Sequence, residues 1–159
     1  MTTRLPVLLA WSGGKDAAWT LHVLRQRPDV DVVGLLTTVT REHQRVSMQG
    51  IRRSVLHAQA RATGLPLVYA HLVGGQDEIV FEGRSFVLAA DGSLAGRAIS
   101  FEEALFDIVF SREPAGWRIE AITDRAHSLE ADLWHALVLG VRDYLGKNGF
   151  PGAVLGLSG

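Results

Sequence analysis

Ser12-Gly13-Gly14-Lys15-Asp16 is the run whose residue types and order best suit a charged ligand. It falls between a short apolar stretch and a segment with helical periodicity. Two glycines let the backbone turn sharply and aim its N–H groups inward. A helix beginning there adds the positive end of its dipole. Ser12 offers a hydroxyl and Lys15 a charge to neutralise phosphate. Asp16 would repel a bare phosphate, so its sensible task is to hold Mg²⁺ bridging phosphate oxygens. The run is neither a Walker A loop, since Asp follows Gly-Lys, nor a Gly-x-Gly-x-x-Gly turn. Taken without ligand, the same residues read as an ordinary strand-to-helix turn.

Other polar residues carry less. The six histidines (22, 43, 57, 71, 127 and 135) form no tight metal-ligand pair, and His22 and His57 read as ordinary helix residues. Arg52-Arg53 could meet a phosphate or carboxylate, but also suits a solvated helix face. Glu102, Glu103 and Asp107 have helical spacing without a partner base, the pattern of surface charge. Trp117 and Trp134 read as core anchors. There is no cysteine, so disulfides, zinc–thiolate sites and a thiol nucleophile are excluded.

The elements that must position the loop follow from periodicity. Residues 5–11 read as a buried strand, 15–27 as a helix ended by Pro28-Asp29, and 30–39 as a β-branched second strand. A helix over 49–63 with Gly64 as its C-cap leads to a third strand at 65–70. Strands alternating with helices predict a parallel sheet. From Leu72 the segments shorten. Residues 73–77 read as a tight turn, and 79–81, 85–89 and 94–98 as antiparallel strands, with Asp91-Gly92 as a hairpin turn. Residues 105–110 and 117–122 read as a further pair. A long helix spans 129–147, with Leu133, Trp134, Leu137, Val138, Val141, Tyr144 and Leu145 as its core face. Residues 153–157 read as a last apolar strand able to join the first sheet as its fourth parallel strand.

The chain has 159 residues, 47% apolar and 21% charged, with net charge −1. That composition excludes wholesale disorder, and no apolar run is long enough for a membrane span. The N-terminal run is too short for a signal peptide, so the expected location is cytoplasmic. Residues 1–71 hold nine Lys/Arg against four Asp/Glu, and the remainder seven against thirteen. A basic first half suits an anionic ligand, and equally two mutually attracting faces of one domain. The overall charge argues against nucleic acid as a partner.

Ser-Gly-Gly-x-Asp after a first strand resembles the pyrophosphate loop (PP-loop) of N-type ATP pyrophosphatases. Residues 1–69 are similar to the front of the diphthine–ammonia ligase family. The likeness extends through Val32-Val33-Gly34-Leu35-Leu36-Thr37-Thr38, Arg45-Val46-Ser47-Met48, Gly50-Ile51-Arg52, Gln59-Ala60 and Gly64-Leu65-Pro66-Leu67. Ala17 stands where that family usually has Ser, and Gln49 where it has His. Residues 70–159 resemble glutamine-dependent NAD synthetase. Residues 72–83 and 85–87 are similar to its glutaminase tail. Residues 137–144 and 147–159 are similar to the entry into its synthetase domain. The chain thus resembles a hybrid joined near 68–72.

These resemblances imply an α/β fold: a partial Rossmann-like (adenine nucleotide alpha hydrolase-like) parallel sheet plus an antiparallel hairpin segment. They imply a PP-loop ATP-binding half-domain over 1–70, a nitrilase-like glutaminase tail over 71–128, and a helix–strand start of a synthetase-like domain over 129–159. They imply Mg·ATP binding in an AMP-forming amide ligase lineage. Ser12, Gly13, Gly14, Lys15, Thr37 and Thr38 would hold ATP, and Asp16 the Mg²⁺. Lys15 and Asp16 would be catalytic, while Met48, Gln49 and Arg52 would meet a carboxylate acceptor, a small molecule or a protein side chain. Missing later strands put turnover in doubt; an active chain would be an ATP-dependent, AMP-forming carbon–nitrogen ligase. The alternatives are an incomplete NAD synthetase fragment and a non-catalytic interaction module. Unpaired sheet edges make a homodimer an expectation.

Overall fold

The computed structural model describes residues 4–38 and 53–157. Met48, Gln49 and Arg52 therefore lie outside the described residues, as do Val39 and the start of the helix expected from residue 49.

Three parallel strands are reached through helical crossovers, as the alternating pattern requires. They are β1 (Leu5–Ala10), β2 (Val30–Thr38) and β3 (Leu67–Ala70), with α1 (Lys15–Arg25) and α2 (Arg53–Thr63) between them. Gly64, at φ +63°, ends α2 through its N–H on the Ala60 carbonyl at 3.0 Å. The sheet does not stop at β3. Strand β6 (Phe86–Leu88) pairs antiparallel with β3, and β7 (Leu94–Arg97) antiparallel with β6, giving the order β1-β2-β3-β6-β7. The Asp91-Gly92 hairpin joins the last two as its sequence predicts, and residues on both sides of position 70 share one sheet.

Both faces of this sheet are covered. On one, Ala17 and Leu21 of α1 and Leu56 and Ala60 of α2 meet Leu35, Leu67, Tyr69, Phe86 and Leu88. Leu35, Leu67 and Leu88 are fully buried, each contributing about 1.5–3 kcal/mol relative to exposure. On the other face lies a hairpin of β8 (Ile108–Glu113) and β9 (Gly116–Ala121), whose Ile119 meets Val68 and Val87. It crosses at glycines: a Cβ on Gly96 would stand 2.5 Å from that of Ala121. An Arg112–Asp31 ion pair ties the hairpin to β2.

A smaller hairpin, β4 (Val73–Gln76) with β5 (Ile79–Glu82), supports α3 (Leu129–Lys147). Residues 73–76 are thus a strand, where sequence predicts a turn. Gly74 at φ +135° invites that reading, but Gly75 is small because α3 presses on it: a Cβ there would lie 3.1 Å from the Gly140 Cα.

Three other expectations are corrected. Residues 153–157 are not a strand, and Val154, Leu155 and Leu157 are fully or nearly fully exposed, so the sheet gains no fourth parallel strand. Helix α3 has its expected span but buries Leu139 rather than the predicted face. Leu133, Trp134, Leu137, Val138, Val141 and Tyr144 are exposed, so Trp134 is no core anchor. Trp117 is half-buried, with Arg112 over its ring at 5.4 Å. Glu102, Glu103 and Asp107 lie in an irregular segment, not on a helix.

Candidate functional site

The loop is held at the carboxyl end of β1. The Trp11 N–H extends the β1–β2 ladder onto the Leu36 carbonyl at 2.7 Å, and the chain then turns through Gly13 at φ +74°. A side chain would be strained in that left-handed conformation. The Ser12 Oγ accepts from the Gly14 N–H at 3.3 Å, closing the turn on itself. Gly14 is the N-cap of α1, extended at φ −92° and with no side-chain cap. The first N–H groups of α1 therefore lack both an intrahelical acceptor and a capping oxygen. This is the geometry in which a helix start receives an anion.

Lys15 and Asp16 project from that first turn. Their side chains are 92% and 88% exposed, with Nζ and Oδ1 3.5 Å apart. So exposed a pair contributes little to stability and costs little to separate. Asp16 is the loop's sole carboxylate. Among the described residues there is no cluster of three His, Cys, Asp or Glu able to hold a metal by itself. That fits Mg²⁺ held through one carboxylate and phosphate oxygens, and does not fit an all-protein metal cage.

Two residues complete the site from other elements. Thr37 of β2 is 1% exposed, and its Oγ1 has no hydrogen-bond partner among the described residues. Strand alternation puts it on the same sheet face as Leu35 and Trp11, beside the loop. Burying an unpaired hydroxyl is costly, so this oxygen is a natural place for a ligand atom. Thr38, next along, is exposed on the opposite side. Gln59 of α2 makes two bonds at once. Its Oε1 accepts from the Trp11 indole N–H at 2.9 Å, and its Nε2 donates to the Gly13 carbonyl at 3.0 Å. Sequence reasoning gave Gln59 no role. The available signal was a polar residue three positions after Leu56, on the helix face that otherwise enters the core.

Ser12, Gly13, Gly14, Lys15, Asp16 and Thr37 are thus gathered at the carboxyl edge of parallel strands, where α/β sheets receive ligands. The fold and the loop define a PP-loop, ATP-pyrophosphatase-type α/β protein. Residues 5–102 match the diphthamide synthase N-terminal domain family, and the chain belongs to it. It is also similar to glutamine-dependent NAD(+) synthetases. That of Rhodobacter capsulatus is 47% identical over 111 residues, covering 69% of this chain and 20% of the relative. That of Synechocystis sp. is 31% identical over 148 residues, covering 91% and 26%. Among solved structures, the glutamine-dependent NAD+ synthetase from Acinetobacter baumannii in complex with ADP superposes with a TM-score of 0.64. It is 29% identical, and the match covers 93% of this chain and 27% of that one. The chain spans about a quarter of the length of these relatives. No helix among the described residues is long and apolar enough to cross a membrane.

Proposed function

We propose that the chain binds Mg·ATP at Ser12–Asp16, as the nucleotide-binding part of an enzyme system that forms an amide from a carboxylate and ammonia, with ATP cleaved to AMP and pyrophosphate. The observation that carries this is the uncapped start of α1 behind the Gly13-Gly14 turn, with the unpartnered Thr37 hydroxyl beside it. The free N–H groups of α1 would donate to phosphate oxygens, and Lys15 would neutralise charge that grows on the departing pyrophosphate. Asp16 would orient the Mg²⁺, which supplies Lewis-acid polarisation of the phosphates when bound. Thr37 would meet the nucleoside side of the ligand, whereas Thr38, on the opposite side, would not.

Two acceptors suit this chemistry. The relatives favour an NAD(+)-synthetase-type system, in which the acceptor is the carboxylic acid precursor of NAD(+). Identity of 47% to the Rhodobacter capsulatus enzyme supports this reading more than a diphthine acceptor, which rests on the family match over 5–102. The sequence has no cysteine, so this chain provides no thiol for glutamine hydrolysis, and free ammonia or another chain would supply the nitrogen. The segments 1–70, 71–128 and 129–159 would then be a nucleotide-binding part, a glutaminase-tail part and a synthetase-entry part. A cytoplasmic setting would place them beside ATP.

Calorimetric titration with Mg·ATP tests the proposal. Binding is expected to weaken at least tenfold in Asp16→Ala and to require Mg²⁺. Failure of the folded chain to bind Mg·ATP would leave the interaction-module reading. ATP–pyrophosphate exchange stimulated by the NAD(+) precursor acid, and not by a diphthine-bearing protein, would select the first acceptor.

A further inference from the structure

The ladder that carries Thr37 continues across the sheet. Thr37 pairs with Tyr69, Tyr69 with Phe86, and Phe86 with Arg97. Directly paired residues share a face, so these four form a row on the helix-covered side. Three strand spacings separate its ends, about 14 Å. At the far end lies a hollow of about 360 Å³ lined by His57, Arg84, Phe86, Leu94, Arg97 and Ala126.

Among the described residues its lining is cationic and contains no carboxylate. Arg97 is half-buried, and its guanidinium makes no ion pair or side-chain hydrogen bond among the described residues. His57 lies against the Phe86 ring at a centroid distance of 6.2 Å, and its ring has no hydrogen bond there. Arg84 is held: its Nε donates to the Ser100 Oγ and its NH2 to Asp132, both at 2.8 Å. That fixes one wall of the hollow. Helix α2 contains no acid to offset His57. Of the carboxylates on neighbouring segments, Asp132 is paired with Arg84, and Asp124, whose backbone N–H bonds the Arg97 carbonyl, has a buried Oδ2 that forms no hydrogen bond or ion pair with Arg97 among the described residues. A half-buried arginine without a counter-ion, beside a second arginine and an imidazole over an aromatic floor, is suited to a planar or tetrahedral oxyanion.

We propose that this hollow is a second anion site, which takes a carboxylate or phosphate on the acceptor distinct from the carboxylate that reacts. Its assignment to the acceptor rests on the ligase reading above, while its affinity for oxyanions does not. Arg97 supplies the forked donors, His57 a further N–H, and the Phe86 face closes the floor. The hollow lies about 14 Å from Thr37, three strand steps along the row, so an acceptor that reaches from the nucleotide to the hollow would carry an anionic group there besides its reacting carboxylate.

The test is a ¹H–¹⁵N NMR titration of the full chain with inorganic phosphate and, separately, with succinate, at fixed ionic strength. Saturable shifts are expected at the amides of Phe86, Leu94, Arg97 and Ala126. They should weaken at least fivefold in Arg97→Gln and in His57→Asn, whose spectra also report their folding. The tighter probe identifies the preferred group. Chloride producing the same shifts, or Arg97→Gln leaving them undiminished, would overturn the site. Parallel Mg·ATP titration separates the two proposals. Phosphate shifts that persist in a chain unable to bind Mg·ATP would remove the acceptor assignment and keep the anion site. Mg·ATP binding by a chain in which neither phosphate nor succinate shifts these amides would remove the site and keep the nucleotide reading.

Discussion

Gln59 bridges the indole of Trp11 and the carbonyl of Gly13, fixing the two sides of the turn to α2. Its two bonds span 48 and 46 positions of sequence, which is why local pattern could not reveal it. By contrast, the strand–turn–helix around Ser12–Asp16 is legible because its turn and its helix start are contiguous in sequence. Gln59→Leu leaves the Trp11 N–H unpaired in a half-buried setting, at a cost of about 1–3 kcal/mol. It also frees Gly13 to leave its left-handed conformation. Mg·ATP affinity is therefore expected to fall by about fivefold or more by calorimetry, the lower end of that cost. Gln59→Glu should keep the indole bond and lose the donor to Gly13. Its affinity would then fall although the Trp11 N–H stays paired, separating loop positioning from the indole bond.

At the scale of elements, α3 is docked by polar chemistry where its periodicity promised an apolar face. The Asp143 Oδ2 accepts from the Gly75 N–H at 2.8 Å and stands 3.1 Å from Lys147, whose Nζ donates to the Gly75 carbonyl at 2.6 Å. Burial pushes the Asp143 carboxyl up, but the Gly75 N–H and Lys147 outweigh it and hold the group below the ordinary aspartate value. A depressed folded value means the stabilisation is present above the unfolded pKa of about 3.9 and is lost as pH falls through the folded value. Urea denaturation at pH 7 and at pH 3 should show Asp143→Asn less stable by about 1–2 kcal/mol at the higher pH, with that difference closing at the lower. The same contact explains why 73–76 was illegible as a strand. Two glycines signal a turn, yet here Gly75 is required by the approach of Gly140. Amphipathicity showed that α3 is a helix, but not which side it buries. The parallel strands and the Asp91-Gly92 hairpin, whose signals are local, were readable.

Across the whole molecule, the consequence of that docking is an open apolar stripe. Trp134, Leu137, Val141 and Tyr144 recur at spacings of three and four, and each is more than half exposed. Contiguous patches of this kind promote association. Leu137→Glu touches no core contact, so its stability should remain within about 0.5 kcal/mol of the parent. Sedimentation velocity should show the parent associating as concentration rises and the variant remaining monomeric several-fold higher. The strand order has a different consequence, in time rather than in shape. Strand β1 lies at the sheet's margin, with Leu5 and Leu8 partly in water, and it alone carries the loop into α1. Amides in such a margin open to solvent more often than those of β2 or β3, which are flanked on both sides. A ligand on the loop binds only while β1 is in place, so it must slow that opening by mass action. Hydrogen–deuterium exchange of residues 5–10 should therefore slow several-fold on adding Mg·ATP, with β6 and β7 unchanged. The breathing of one marginal strand would then be a clock that reads whether the nucleotide is bound.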